Sequence, residues 1–294
     1  MSDLSATGTT PAPRPSPVAA LAIGLVVSAI AIATMWRLPS PVPRPVREAH
    51  RPAPKPGPAP KPILRTIPAR YKGKLVTRRV RRFPKKLLAL TFDDGPDPEI
   101  TPRILKTLEE HNAYATFFVR GDNAERHPQL LKQIAAGGHE IGNHSYSHET
   151  VSSEDAAKEE LRKTDDAIGQ VTGRDVRLFR PPKGIKNCEL TRQALKAGYV
   201  VVLWTISSAD SRPIAPEVIA SNVIHTPNPG DIVIMHDGEG HTATADALPK
   251  VLDALEKKGY RFVTVPDLLG EWDRWLVRCT PAEPAMKKQR GRRV

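Results

Sequence analysis

From Leu87 onward the chain alternates short apolar runs with stretches whose apolar residues recur every three or four positions, the pattern of βα units around a parallel sheet or barrel. The runs predict strands at 87–92, 114–119, 139–142, 177–179, 200–204, 232–235 and 261–265. Between them, Thr101 is placed as the cap of a helix with Pro102 at its first position and Ile104, Leu105 and Leu108 on one face. Further helices are predicted over 154–171, 189–197, 216–225 and 242–258, and several end at glycine, as in Lys196-Ala-Gly and Lys257-Lys-Gly, which suits a left-handed cap. Seven strands fit an incomplete or distorted (β/α) barrel better than a flat doubly wound sheet.

Upstream the pattern is different. Residues 18–36 carry no charge, and a run of that length as a helix matches the roughly 30 Å core of a bilayer. The polar, Pro-rich residues 1–17 and the lack of a clear cleavage site favour an uncleaved signal anchor over a cleavable signal peptide. Residues 39–62 then hold ten prolines, the composition of an extended polyproline spacer. The organisation expected is a short polar segment (1–17), a transmembrane anchor (18–36), a Pro-rich basic linker (37–86), a catalytic body (87–270) and a basic tail (271–294). Arg37, Arg44, Arg47 and Arg51 lie just downstream of the apolar run and, by the positive-inside rule alone, would hold the body in the cytoplasm.

Charge sharpens this division. The net +12 looks like a nucleic-acid binder, but residues 1–86 carry 17 Lys/Arg against only Asp3 and Glu48, whereas 87–270 carry 20 basic and 27 acidic residues. The folded body is acidic, so nucleic acid is not an expected partner. The basic stretch 72–86 reads either as a solvated linker or edge strand, or as an attachment to lipid headgroups or anionic wall polymers. Two cysteines exclude a zinc ribbon or an iron–sulfur cluster and leave Cys188 and Cys279 as the single pair available to a disulfide.

In β/α folds the loops after the strand ends build the site. Here they carry Asp93-Asp94-Gly95-Pro96, Asn143-His144-Ser-Tyr-Ser-His148, Arg180-Pro-Pro-Lys183-Gly184, Asp210, and His236-Asp237. His144, His148 and a carboxylate from Asp93 or Asp94 form a two-His-one-carboxylate set able to hold a divalent cation, with the other carboxylate free to take a proton from water. Taken alone, Asp-Asp-Gly-Pro is also an ordinary turn.

Thr91-Phe-Asp-Asp-Gly-Pro96, His144-Ser-Tyr-Ser-His148, Arg180-Pro-Pro-Lys-Gly184, the segment 204–210 and Ile234-Met-His236 come in the order and approximate spacing of the polysaccharide deacetylases, the NodB-homology family also called carbohydrate esterase family four. The chain resembles that family over about 87–270. The resemblance implies a distorted (β/α) barrel that removes N-acetyl groups from amino-sugar polymers such as peptidoglycan or chitin-like oligosaccharides. It implies Asp93 as general base, Asp94, His144 and His148 as ligands of a divalent metal with zinc first among the first-row ions, Arg180 orienting Asp93, His236 as the acid, and Asp210 orienting His236. That chemistry on an envelope polymer overrules the charge rule and places the body outside the membrane.

Three positions depart from the family pattern. Lys183 stands where an aromatic residue is usual, Ser207 where an additional Asp is usual, and Ser211 where a Trp lines the acetyl pocket. Ser207 and Ser211 keep open a second reading, a catalytically weak glycan-binding or wall-anchoring protein. Gly238-Glu-Gly240-His-Thr-Ala243 passes a loose dinucleotide-fingerprint test but is read as a turn and helix start. Trp272 and Trp275 predict a short amphipathic end that packs back on the body.

Overall fold

A computed structural model describes residues 66–279 of the chain. The uncharged run 18–36 and the spacer 39–62 lie outside the described residues, among which no helix is long and apolar enough to cross a membrane. Nine strands are present: β1 (Leu75–Val76), β2 (Leu87–Asp93), β3 (Ala115–Val119), β4 (Glu140–Asn143), β5 (Leu178–Phe179), β6 (Val200–Val202), β7 (Ile206–Ser207), β8 (Ile232–His236) and β9 (Arg261–Phe262). The helices are α1 (Ile100–Glu110), α2 (Gly121–Arg126), α3 (Pro128–Ala136), α4 (Glu154–Thr172), α5 (Glu189–Ala197), α6 (Pro216–Ile224), α7 (Thr242–Lys257) and α8 (Val265–Cys279).

All pairings are parallel, in the order β1-β6-β5-β4-β3-β2-β8-β7, with β9 added at the start of β2. That order is an open path with β1 and β7 at its ends. Residues 200–207 pair with β5 through Val200 and Val201 and, after three unpaired residues, with β8 through Ile206 and Ser207. One bent segment thus links the two flanks of the curled sheet, and β1 takes the other edge of β6 (Leu75↔Val201). The predicted 200–204 strand is split by this bend, and β7, two residues long, gave no periodic signal.

Strand parity sorts the side chains. Leu88, Leu90, Phe92, Phe117, Val233 and Met235 belong to the large core under the helices, whereas Leu87, Ala89, Phe118, Leu178, Val200, Val202 and Ile232 form a second cluster inside the barrel. Burial on both faces explains why β2 and β3 read as unbroken apolar runs. The interior changes character along β2, from Leu87 and Ala89 through Thr91 to Asp93, so the polar end of the barrel is the end where the parallel strands finish. The opposite end is closed by α8, whose Val265, Leu268, Leu269 and Trp272 join the inner cluster, and Val265 N–H donates to Thr116 Oγ1 at 2.9 Å.

Four expectations are revised. The predicted linker 37–86 does not run to Leu87: from Thr66 the chain is packed on the barrel, with Val76 and Phe83 buried and Ile67, Tyr71 and Val80 against the inner cluster. Lys72, Lys74, Arg78, Arg79, Arg81, Arg82, Lys85 and Lys86 stay exposed between those anchors, which is why the stretch looks solvated. At the other end the tail begins later than 271, because α8 is a full helix through Cys279. Finally, Thr101 does not cap α1. Asp97 Oδ1 accepts from Glu99 N–H and Ile100 N–H, both at 2.9 Å, and Thr101 lies inside the first turn. Cys188 and Cys279 are free thiols, so the available pair is not a disulfide.

Trp272 is 1% exposed, and its ring lies against Gly230, where a Cβ would meet the indole nitrogen at 2.8 Å. Trp272→Ala is predicted to cost about 3–5 kcal/mol. Equilibrium urea unfolding checks this, and a loss below about 1 kcal/mol would show that α8 is an appendage rather than the floor of the barrel.

Candidate active site

Because the strands are parallel, Asp93, Asn143, Phe179, Ser207 and His236, each the last residue of its strand, come to one rim. Asp93 and His236 are direct neighbours in register across β2 and β8. All seven predicted site residues, Asp93, Asp94, His144, His148, Arg180, Asp210 and His236, belong to this rim and its loops.

Asp94, His144 and His148 converge. Asp94 Oδ1 lies 3.5 Å from His144 Nε2 and 3.4 Å from His148 Nε2, a spacing that bonds of about 2 Å from a common centre require. That oxygen is buried and has no hydrogen-bond partner, a costly state unless a cation completes it. His144 Nδ1 is 2.7 Å from the Arg180 carbonyl, which fixes the proton there and leaves Nε2 with its lone pair free. Burial and the neighbouring His144 hold His148 below the usual imidazole range. Burial alone would raise Asp94, but His144, His148, His236 and Arg120 together carry it below the usual carboxylate range. Two imidazoles and one carboxylate fit a divalent first-row ion.

Two other groups of this kind occur among the described residues. Asp210, His236 and His241 form one, but both Asp210 oxygens already have donors: His236 Nδ1 (2.8 Å) and Ser208 Oγ (2.7 Å) on Oδ1, His236 N–H (2.8 Å) and Thr244 Oγ1 (2.6 Å) on Oδ2. His111, Asp253 and Glu256 form the other, on the helix surface. Only Asp94 Oδ1 among these carboxylate oxygens is buried without a partner.

Asp93 is held by Arg180. Nη1 donates to Asp93 Oδ1 and to Thr91 Oγ1, each at 2.7 Å, Nε donates to the Val202 carbonyl at 2.9 Å, and the guanidinium lies 4.2 Å over the Phe118 ring. Asp93 Oδ2 is left facing the His144 side, 3.8 Å from Nε2. On the other flank burial works against a charged His236, but the hydrogen bond to Asp210 and the charges of Asp93, Asp210 and Asp94 outweigh it and raise its pKa to about 9. Asp210 in turn is kept below the usual carboxylate range: its hydrogen bonds from His236, Thr244 and Ser208 overcome the burial that would raise it.

Sequence reasoning missed the scaffold of this site. Glu160 on α4 accepts from Tyr146 N–H (2.9 Å) and Ser147 N–H (2.8 Å), and Asn143 Oδ1 accepts from Ser145 N–H (2.8 Å), so the loop between the two histidines is fixed from outside the barrel. Asn123 Nδ2 donates to the Asp94 carbonyl at 2.6 Å. Asp237 is fully buried and takes Gly95 N–H (3.2 Å) and Thr101 Oγ1 (2.7 Å); a Cβ at Gly95 would lie 2.2 Å from its carboxylate. Burial, opposed by the Thr101 hydrogen bond, raises the Asp237 pKa to about 7. Its position beside His236 was the available signal. Ser207, one of the departures, has its Oγ 3.1 Å from Ala209 N–H, so a hydroxyl closes the turn an Asp would close.

A family model described as "Polysaccharide deacetylase" matches residues 80–202. A peptidoglycan-N-acetylglucosamine deacetylase of Bacillus cereus is 42% identical over 190 residues, covering 63% of this chain and 89% of its own. Among solved structures, a peptidoglycan N-acetylglucosamine deacetylase in complex with 4-naphthalen-1-yl-N-oxidanyl-benzamide superposes with a TM-score of 0.62 at 36% identity, covering 66% of this chain and 92% of that one. A family pseudoenzyme from Bacillus anthracis superposes nearly as well, with a TM-score of 0.60 at 32% identity over 65% of this chain and 67% of that one.

The His236–Asp210 pair generates a pH prediction. Histidine NMR of the metal-free protein should place the His236 midpoint near 9, and Asp210→Asn should lower it by more than about one unit. Since the folded value lies above the ordinary value of about 6.5, the pair's stabilisation is fully present below about 6.5 and is lost as pH rises through about 9. An unchanged midpoint in Asp210→Asn would refute the assigned pairing.

Proposed function

The chain belongs to the polysaccharide deacetylase family, and on that premise we propose that it hydrolyses N-acetyl groups of an amino-sugar polymer of the cell envelope, peptidoglycan first. The observation that carries the reading is Asp94 Oδ1, buried, unpartnered and flanked by two imidazole nitrogens, with Asp93 on one side and His236 in register beside it. The names of the relatives supply the substrate class.

Asp94, His144 and His148 would hold the divalent ion, zinc being the first candidate for two imidazoles and a carboxylate. When bound, such an ion supplies Lewis-acid polarisation of an acetamide carbonyl and a lowered pKa for water. Asp93 acts as the base: Arg180 holds one oxygen, so Oδ2 is the one left to accept the proton. His236 acts as the acid that protonates the departing sugar nitrogen, and Asp210 on Nδ1 keeps the proton available at Nε2. Lys183 and Ser211 leave this apparatus intact and bear on which acetylated sugar is accepted.

The catalytically weak alternative gains support from Ser211 alone, since the Ser207 hydroxyl still closes its turn. Acetate release from N-acetylglucosamine oligomers and from peptidoglycan decides between the two. The expected result is turnover that a chelator abolishes and a divalent ion restores, with Asp93→Asn reducing kcat by at least about 100-fold. Turnover that survives either treatment would sink the mechanism, and tight glycan binding without turnover under any divalent ion would establish the alternative.

We place the body outside the membrane, held by residues 18–36 as an uncleaved anchor, with the exposed cations of 72–86 toward anionic headgroups or wall polymers. Spheroplasts of cells producing the chain should lose the body to added protease, while the intact chain should sediment with membranes. A protease-resistant body inside sealed cells would reverse the orientation.

A further inference from the structure

The turn Gly238–His241 remains unexplained by the chemistry above. His241 precedes α7, yet no side chain caps that helix, although Ser, Thr, Asn or Asp are the residues suited to such a position. Its ring instead stacks on His236, with centroids 4.9 Å apart and planes 18° apart.

The two contacts on His236 restrain different motions. The Asp210 carboxylate fixes one edge of the ring at Nδ1. An edge contact leaves rotation about the bond to the ring weakly restrained, and a second flat ring on its face removes that freedom. His241 also suits the task electrically. Burial and the adjacent His236 hold it below the usual imidazole range, so a neutral ring lies against the charged one.

We propose that His241 is a positioning residue for His236: its stacked ring fixes the plane of the imidazole, so that Nε2, the nitrogen Asp210 leaves free, keeps one direction at the rim. The inference rests on reading His236 as the acid. Nothing in the metal-ligand set is involved, because Asp94, His144 and His148 are held by other contacts.

The test compares His241→Ala and His241→Phe in the full chain, by acetate release and by the NMR signal of the His236 Nδ1 proton shared with Asp210. His241→Ala should lower kcat on the order of tenfold, short of the roughly 100-fold or more that removing an acid costs, with KM nearly unchanged and the Nδ1 proton signal broadened. His241→Phe, which keeps a flat ring on that face, should recover most of the rate and a sharp signal. Equal metal content in all three proteins excludes damage to the ligand set. A loss confined to KM, a Phe variant as poor as Ala, or an unmoved proton signal in the Ala variant would each overturn the proposal. Because that signal is read without substrate, a wild-type chain that releases no acetate but shows the expected change would refute the proposed activity and leave the positioning role standing.

Discussion

Arg180 is a guanidinium with no exposed surface, and an ion taken out of water costs several kcal/mol unless paired and hydrogen-bonded. Around it the chain supplies Asp93, Thr91 and the Val202 carbonyl as acceptors and Phe118 as a face. Those partners sit on β2, β6 and β3, and Arg180 itself follows β5, so the contacts of Nε and Nη1 tie four strands together, while Nη2 is buried without a hydrogen-bond partner. The backbone of the same residue extends the constraint. Its N–H donates to Asn143 O at 3.0 Å, and its carbonyl takes the His144 ring nitrogen. Asp93, His144 and the strands around them are therefore held through one residue. Displacing Arg180 would leave Asp93 buried without its charge partner and His144 without its tautomer lock.

The loops around this node are held away from their relaxed shapes. Of the seven non-glycine residues with positive φ among the described residues, Asp94, Ser145, His148, Lys183 and Ala209 lie in site loops. Such conformations cost of order 1 kcal/mol each and persist only where neighbours over-determine them. Those neighbours are identifiable: Asn123 on the Asp94 carbonyl, Ser145 Oγ on His148 N–H, Ser207 Oγ on Ala209 N–H. Gly238 belongs to the same arrangement, since a Cβ there would lie 2.7 Å from Asp94 Cβ. The rigidity needed to keep three ligands at one point is built from side-chain hydrogen bonds to strained backbone.

The sequence exposed what burial forces on residue choice and concealed what depends on two or three atoms. Strands β2 and β3 were legible because both their faces are buried, and the site residues because they fall where parallel strands end. β1 and β7 have two residues each, too few for any period. The 66–86 strap hid for another reason: its anchors Val76, Val80 and Phe83 are separated by arginines whose heads stay in water, so its composition matched a solvated linker. Asp237 was marked only by its place beside His236, and His241 not at all, because their contacts, onto Gly95 and onto the His236 ring, are closures that spacing along the chain does not specify.

Fold alone does not establish catalysis here, since a pseudoenzyme of the family superposes about as well as a deacetylase. The distinction must lie in the atoms of the rim. Ser207 closes its own turn, its hydroxyl 3.1 Å from Ala209 N–H. Ser211 differs in kind, because a serine cannot replace the apolar area of a tryptophan. That loss falls on what binds beside the reacting group, not on the proton path from Asp93 or to His236. The charge distribution agrees with this separation. An acidic body with four carboxylates around the rim, Asp93, Asp94, Asp210 and Asp237, is stable only if each has its own counter-group. Arg180 serves Asp93, His236 serves Asp210, and burial leaves Asp237 close to neutral. Asp94 alone among them keeps a buried oxygen without a hydrogen-bond partner, and with two imidazole nitrogens beside it that oxygen suits a divalent cation in charge and coordination.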